Sequence, residues 1–104
     1  MKDADFALGK MDPTQSYKIN KEIVYREEDD GAFLFDPDSG NLKYLNPTGK
    51  ETFLMLEDET GIGEVTHRMH TEYPDVDPEQ VRRDVEAFVE QLEENGFVSP
   101  QDGE

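Results

Sequence analysis

The apolar residues of this chain follow an alternating pattern first and a helical one afterwards, and the switch falls at Asn46. From Lys21 to Arg26 the sequence KEIVYR is β-prone, and the acidic stretch EEDDG after it ends in a glycine able to take positive φ, as a tight turn requires. Ala32 to Phe35, AFLF, is apolar on both alternating faces, with Phe33 and Phe35 on one and Ala32 and Leu34 on the other. That pattern suits a central strand. Asp36-Pro37-Asp38-Ser39-Gly40 places proline early in a turn and glycine late, which predicts a hairpin of a type I turn plus a bulge. Leu42-Lys43-Tyr44-Leu45 is then the returning strand. Three short strands joined by tight turns make an antiparallel meander, and with AFLF at its centre the LKYL strand lies at an edge.

At Asn46 the period becomes helical. Asn46 suits an N-cap, Pro47 fits the first helical position, and Phe53 and Leu56 supply an apolar face for a helix ending near Glu57. Ile62, Val65, Met69 and Tyr73 continue with helical spacing as far as Pro74, with Gly61 and Gly63 blurring the start. The third helix carries the strongest signal. Asp77 as N-cap, Pro78 and Gln80 form a capping-box-like start, Val81, Val85, Phe88 and Leu92 make the stripe, and Asn95-Gly96 is the stop. Phe97 and Val98 beyond it are expected to fold back on the core. The expected class is α+β: a three-stranded antiparallel meander followed by three helices covering one face of the sheet. Residues 1–16 and 99–104 lack a sustained period and read as flexible tails around a domain at 17–98, with Phe6, Leu8 and Met11 the isolated apolar residues of the first tail.

Length allows one core only, since 104 residues leave no material for a second. Composition then narrows the function. With 26 acidic residues against 10 basic ones the net charge is −16, which repels nucleic acid. The absence of cysteine excludes a disulfide framework, a thiolate nucleophile and cysteine-ligated metal sites. The apolar runs are too short to span a bilayer and the start lacks a signal-peptide pattern, so a cytoplasmic protein without membrane contact is expected. His67 and His70 with Glu64 and Glu72 are the only metal-like grouping, and they flank the Val65–Met69 stripe rather than converge. Asp36-x-Asp38-x-Gly40 has glycine where a calcium loop needs an oxygen ligand, so it is turn chemistry. No nucleophile setting or phosphate loop is present, and Glu86, Glu90, Glu93 and Glu94 fit a solvated helix face. The expectation is no catalysis, no cofactor and no metal.

A binding function therefore rests on surface shape, and the LKYL edge is the physical candidate. An open strand edge offers a row of amide donors and carbonyl acceptors, usually blunted by lysine, proline or a bulge. Here only Lys43 guards it. A guest peptide can add there as a fourth strand, and so can a second copy, so the chain is expected as a monomer or an edge-strand homodimer.

The stretch from Val24 to Val98 resembles the PqqD family, which serves as precursor-peptide recognition elements for ribosomally made, modified peptides. The resemblance is carried by GAFLFDPDSGNLKYLNPTGKETFLML, where an apolar strand, a turn and YLN lead through Gly49 into a helix, and by DPEQVRRDVEAFVEQLEENGFV. It implies a winged helix-turn-helix-like fold in which a leader peptide adds to the third strand and lies against the third helix. Carried onto this chain, Leu42, Lys43, Tyr44 and Leu45 form the strand wall, Val81, Arg82, Val85 and Val89 the helix wall, and Phe88 and Leu92 belong to the core. The implied partners are the leader of a precursor peptide and a radical S-adenosylmethionine enzyme or another peptide-modifying enzyme. Two other readings stand beside this one: a winged-helix DNA-binding regulator, and a regulatory subunit that binds an enzyme without touching a peptide. Against the first, the third helix sets Arg82 and Arg83 against Asp84, Glu86, Glu90, Glu93 and Glu94.

Overall fold

The computed structural model describes residues 13–101. Its elements in chain order are β1 (Ser16–Ile19), β2 (Val24–Glu28), β3 (Gly31–Phe35), β4 (Leu42–Leu45), α1 (Pro47–Glu57), α2 (Ile62–Glu72), α3 (Pro78–Glu94) and β5 (Val98–Gln101). The class is α+β, with the expected meander β2-β3-β4 and three helices.

Alternation along the meander decides what is buried. β3 is central, pairing Val24 to Phe35 through Glu28 to Gly31 on one side and Ala32 to Leu45 through Phe35 to Leu42 on the other. Ala32, Leu34 and Leu45 turn to the helices and are buried with Phe53 and Leu56 of α1, Val65 and Met69 of α2, and Val85, Val89 and Leu92 of α3. Tyr25 joins them by stacking on Phe53, ring centres 5.6 Å apart. The β2–β3 turn needs its glycine for two reasons: Gly31 takes φ +156°, and a Cβ there would stand 1.9 Å from the Leu45 carbonyl oxygen. In the β3–β4 turn, Pro37 to Gly40 separate Asp36 and Asn41, whose backbones are bonded at 2.9 Å. Asp36 holds that loop, its carboxylate accepting from the Asp38 amide at 3.0 Å and the Ser39 hydroxyl at 2.9 Å.

The helix boundaries follow the caps. Asn46 accepts from the Gly49 amide at 2.8 Å and Pro47 opens α1. Asp77 precedes α3 without a side-chain cap bond, and Gln80 donates instead to Asp84 at 2.8 Å, so the expected capping box is replaced by an exposed i,i+4 pair.

Both tail boundaries move outward. Ser16 to Ile19 pair antiparallel with Val98 to Gln101 in a second, two-stranded sheet, and Tyr17 and Val98 are buried in it. Residues 99–101 are therefore strand rather than flexible tail, and Ser16 belongs to the folded unit. Upstream of β1, the carbonyls of Gln15 and Pro13 accept from the Ile62 and Gly63 amides at 2.9 and 2.7 Å. The chain backbone thus caps α2, whose own N-cap position, Gly61, has no side chain to do so. Phe6, Leu8, Met11 and the remainder of residues 1–12, like residues 102–104, lie outside the described residues. No helix among the described residues is long and apolar enough to cross a membrane.

Candidate functional site: the groove between β4 and α3

The hydrogen-bond phase of β4 fixes what its edge offers. Backbone pairing alternates along an antiparallel ladder, and the Asp36–Asn41 bond sets that alternation at the turn. Lys43 and Leu45 therefore pair with Leu34 and Ala32, while the amides and carbonyls of Leu42 and Tyr44 point away from β3 to the open edge. Four main-chain groups face outward from an apolar strand. The opposite edge, β2, is guarded by charge: Arg26 pairs with Glu28 at 3.0 Å, and Glu27 pairs with Lys50.

Side chains alternate in the same register. Lys43 leans toward α3 and donates to the Gln91 side-chain oxygen at 3.1 Å, and just before the strand Asn41 donates to the Asn95 carbonyl at 2.9 Å. These bonds tie one end of β4 to the C-terminal half of α3. At the other end, directly after Leu45, lies a pocket of about 400 Å³. Its apolar walls are Met69, Tyr73, Val76, Val81, Val85 and Phe88, and Asn46, Thr48, Thr52 and Asp84 bring polar atoms to it. Gly49 lets α1 close on this pocket, since a Cβ there would stand 3.2 Å from the Phe88 ring. The result is an open strand edge running into an apolar hole, with one lysine and one aspartate along its length.

Of the eight residues expected to form this groove, the structure brings some together and separates others. Leu42 and Tyr44 supply backbone groups, Lys43 spans to α3, and Leu45 is buried behind the edge. Val81 and Val85 line the pocket. Val89 is fully buried in the core, away from the opening. Arg82 sits on the other flank of α3, paired with Glu79 and, at 3.6 Å, with Glu86. That flank faces β1: the Tyr17 phenol is pushed above its ordinary range by burial and then by Glu93, Glu90 and Glu86. Phe88, expected in the core, lines the pocket only half-buried. Asp84 and Phe88 at the pocket and Gln91 at Lys43 thus join Val81 and Val85 on the side of α3 toward the opening. Their helical spacing, one step round from the Val81-Val85-Leu92 stripe, is the signal that sequence reasoning passed over.

Arg82 is paired with Glu79 and Glu86, and Arg83 is the one other base on an α3 that carries Glu79, Asp84, Glu86, Glu90, Glu93 and Glu94, so the helix is acidic overall. His67 is exposed and Glu64 is engaged by Arg68 at 3.0 Å, and no cluster of three or more metal-ligating side chains occurs among the described residues.

No curated protein matches the chain. Among solved structures, a lasso peptide synthetase B1 complexed with the leader peptide is 30% identical, with a TM-score of 0.74 over 82% of this chain and 99% of that one. TbiB1 in complex with the TbiA(beta) leader peptide is 26% identical, with a TM-score of 0.72 over 79% of this chain and 94% of that one. The family model for coenzyme PQQ synthesis protein D matches residues 31–98, which run from the start of β3 to the start of β5 and include the whole groove. The chain is a member of the PqqD family.

Proposed function

We propose that this protein is a non-catalytic, cytoplasmic peptide chaperone. It captures the leader of a ribosomally made precursor peptide as a fourth strand on β4 and presents the remainder to a separate enzyme. That enzyme is a radical S-adenosylmethionine enzyme or another peptide-modifying enzyme. The observation that carries this reading is the pairing of outward-facing Leu42 and Tyr44 backbone groups with an apolar pocket at the end of the same edge. The two solved relatives, each described as bound to a leader peptide, support it.

The energetics require both parts. Four main-chain bonds at about 1 kcal/mol net each give about 4 kcal/mol, which alone corresponds to binding of about 1 mM. Burying one large apolar side chain adds about 2–3 kcal/mol, bringing the dissociation constant to about 7–40 μM. The edge therefore sets direction and register, while the pocket selects the sequence. A guest with an aliphatic or aromatic anchor is favoured, and a basic segment beside it is drawn by the acidic chain.

Titration of a synthetic leader from a precursor encoded beside this chain, followed by amide chemical shifts, tests the reading. Shifts are expected at residues 42–46 and along Asp84, Phe88 and Gln91. Saturable binding whose shifts are confined to β1, β5 or the Arg82–Glu86 flank overturns it.

A further inference from the structure

The face of the meander turned away from the helices carries the Arg26–Glu28 pair on β2 and is otherwise apolar, and it is uncovered among the described residues. Val24, Phe35 and Leu42 stand in one cross-strand row, and Arg26, Phe33 and Tyr44 in the next. Val24 is 50% exposed, Phe35 39%, Leu42 64% and Tyr44 48%. The second row is held in place rather than loose: Phe33 and Tyr44 contact at 5.4 Å between ring centres, and the Tyr44 hydroxyl donates to the Asp30 carbonyl at 3.0 Å. A contiguous apolar row on a sheet face is ordinarily an interaction surface. Both ends of this face are acidic, with Asp29 and Asp30 in the β2–β3 turn and Asp38 in the β3–β4 turn, beside Glu22 ahead of β2.

We propose that this outer face is the docking surface for the peptide-modifying enzyme, which meets it with a patch that is apolar at its centre and rich in lysine and arginine at its rim. The inference rests on the peptide-capture reading above and adds the surface through which the captured peptide is handed over. Two arguments select this occupant. Charge complementarity requires a basic rim, and a second copy of a chain of charge −16 would bring acidic turns against acidic turns. Geometry supplies the second: a guest strand on β4 turns alternate side chains to the same side as Leu42 and Tyr44. The presented peptide and the docking face then lie side by side, so an enzyme seated on one reaches the other.

The test uses the full chain and the peptide-modifying enzyme encoded beside its gene. The double variant Val24→Thr/Phe35→Thr removes apolar surface from the same row while placing β-branched residues on β2 and β3, off the leader edge, and Asp29→Lys/Asp38→Lys reverses the rim. The threonine variant is expected to remain folded by its amide spectrum and to bind leader peptide within twofold of wild type, yet to bind the enzyme at least tenfold more weakly. The rim variant is expected to associate with the enzyme several-fold more slowly at low salt. Enzyme binding unchanged in both variants overturns the proposal. So does a wild-type dimer in sedimentation that the threonine variant dissolves, or nuclear Overhauser contacts from residues 1–12 to the Leu42 methyls, because each assigns the face to another occupant. Failure of wild type to bind leader, with its enzyme binding still sensitive to the threonine variant, defeats peptide capture alone.

Discussion

Adjacent residues of β4 are predicted to respond oppositely to the same substitution. At Lys43 the amide pairs with β3, whereas at Leu42 it faces the open edge. Proline at position 43 removes a ladder bond inside the meander and sets its ring against β3, which costs about 3 kcal/mol or more of stability. The Lys43–Gln91 bond lost with it is exposed and adds little. Proline at position 42 removes no internal bond and a side chain that is already exposed, so its cost to stability is expected to stay below about 1 kcal/mol. It does remove one donor from the guest, about 1 kcal/mol, and its ring occupies the edge. Leader affinity should therefore fall at least about fivefold. Urea denaturation and isothermal titration calorimetry with the leader measure the two quantities on the same samples. If Leu42→Pro is as destabilised as Lys43→Pro, the assigned phase of β4 is wrong. If Leu42→Pro is stable and binds leader with full affinity, strand addition at this edge is wrong.

Gly31→Ala is predicted to cost at least about 3 kcal/mol in urea denaturation, because its Cβ would overlap the Leu45 carbonyl at a backbone angle that L-residues avoid. A loss below about 1 kcal/mol would show that β3 and β4 separate easily at this end. Phe88→Ala is predicted to weaken leader binding about tenfold in fluorescence anisotropy, while Arg82→Ala on the far flank of α3 stays within twofold. The reverse order would move the groove to the Arg82 flank of α3.

The legible parts of this fold are those whose pattern repeats long enough to declare a period. AFLF showed a central strand because both alternating faces are apolar, and Asn46-Pro47 and Pro78 to Asn95 marked helix ends through residues with fixed backbone preferences. β1 and β5 were not legible, because each is four residues long and carries few apolar positions. Their pairing depends on Phe97 and Val98 returning beside Tyr17, with the Asn20 amide bonded to the Phe97 carbonyl at 3.0 Å, and so on contacts most of a chain length apart. The strand side of the groove was legible as an unguarded edge. The helix side was legible in part: Val81 and Val85 do line the pocket and Leu92 is core as expected, whereas Val89 is buried and Arg82 sits on the other flank. What else lines the opening is the row beside the buried stripe, and only packing against Gly49 and Lys43 singles out Phe88 and Gln91.

Amide hydrogen exchange of β4, residue by residue and with and without leader peptide, tests the central claim most directly. In the free protein the Lys43 and Leu45 amides, bonded to β3, are predicted to exchange slowly, and those of Leu42 and Tyr44 quickly. Saturating leader is predicted to slow Leu42 and Tyr44 by at least an order of magnitude and to bring all four residues into one protected strand. Leader that binds to saturation while Leu42 and Tyr44 go on exchanging at their free rates would contradict strand addition at this edge.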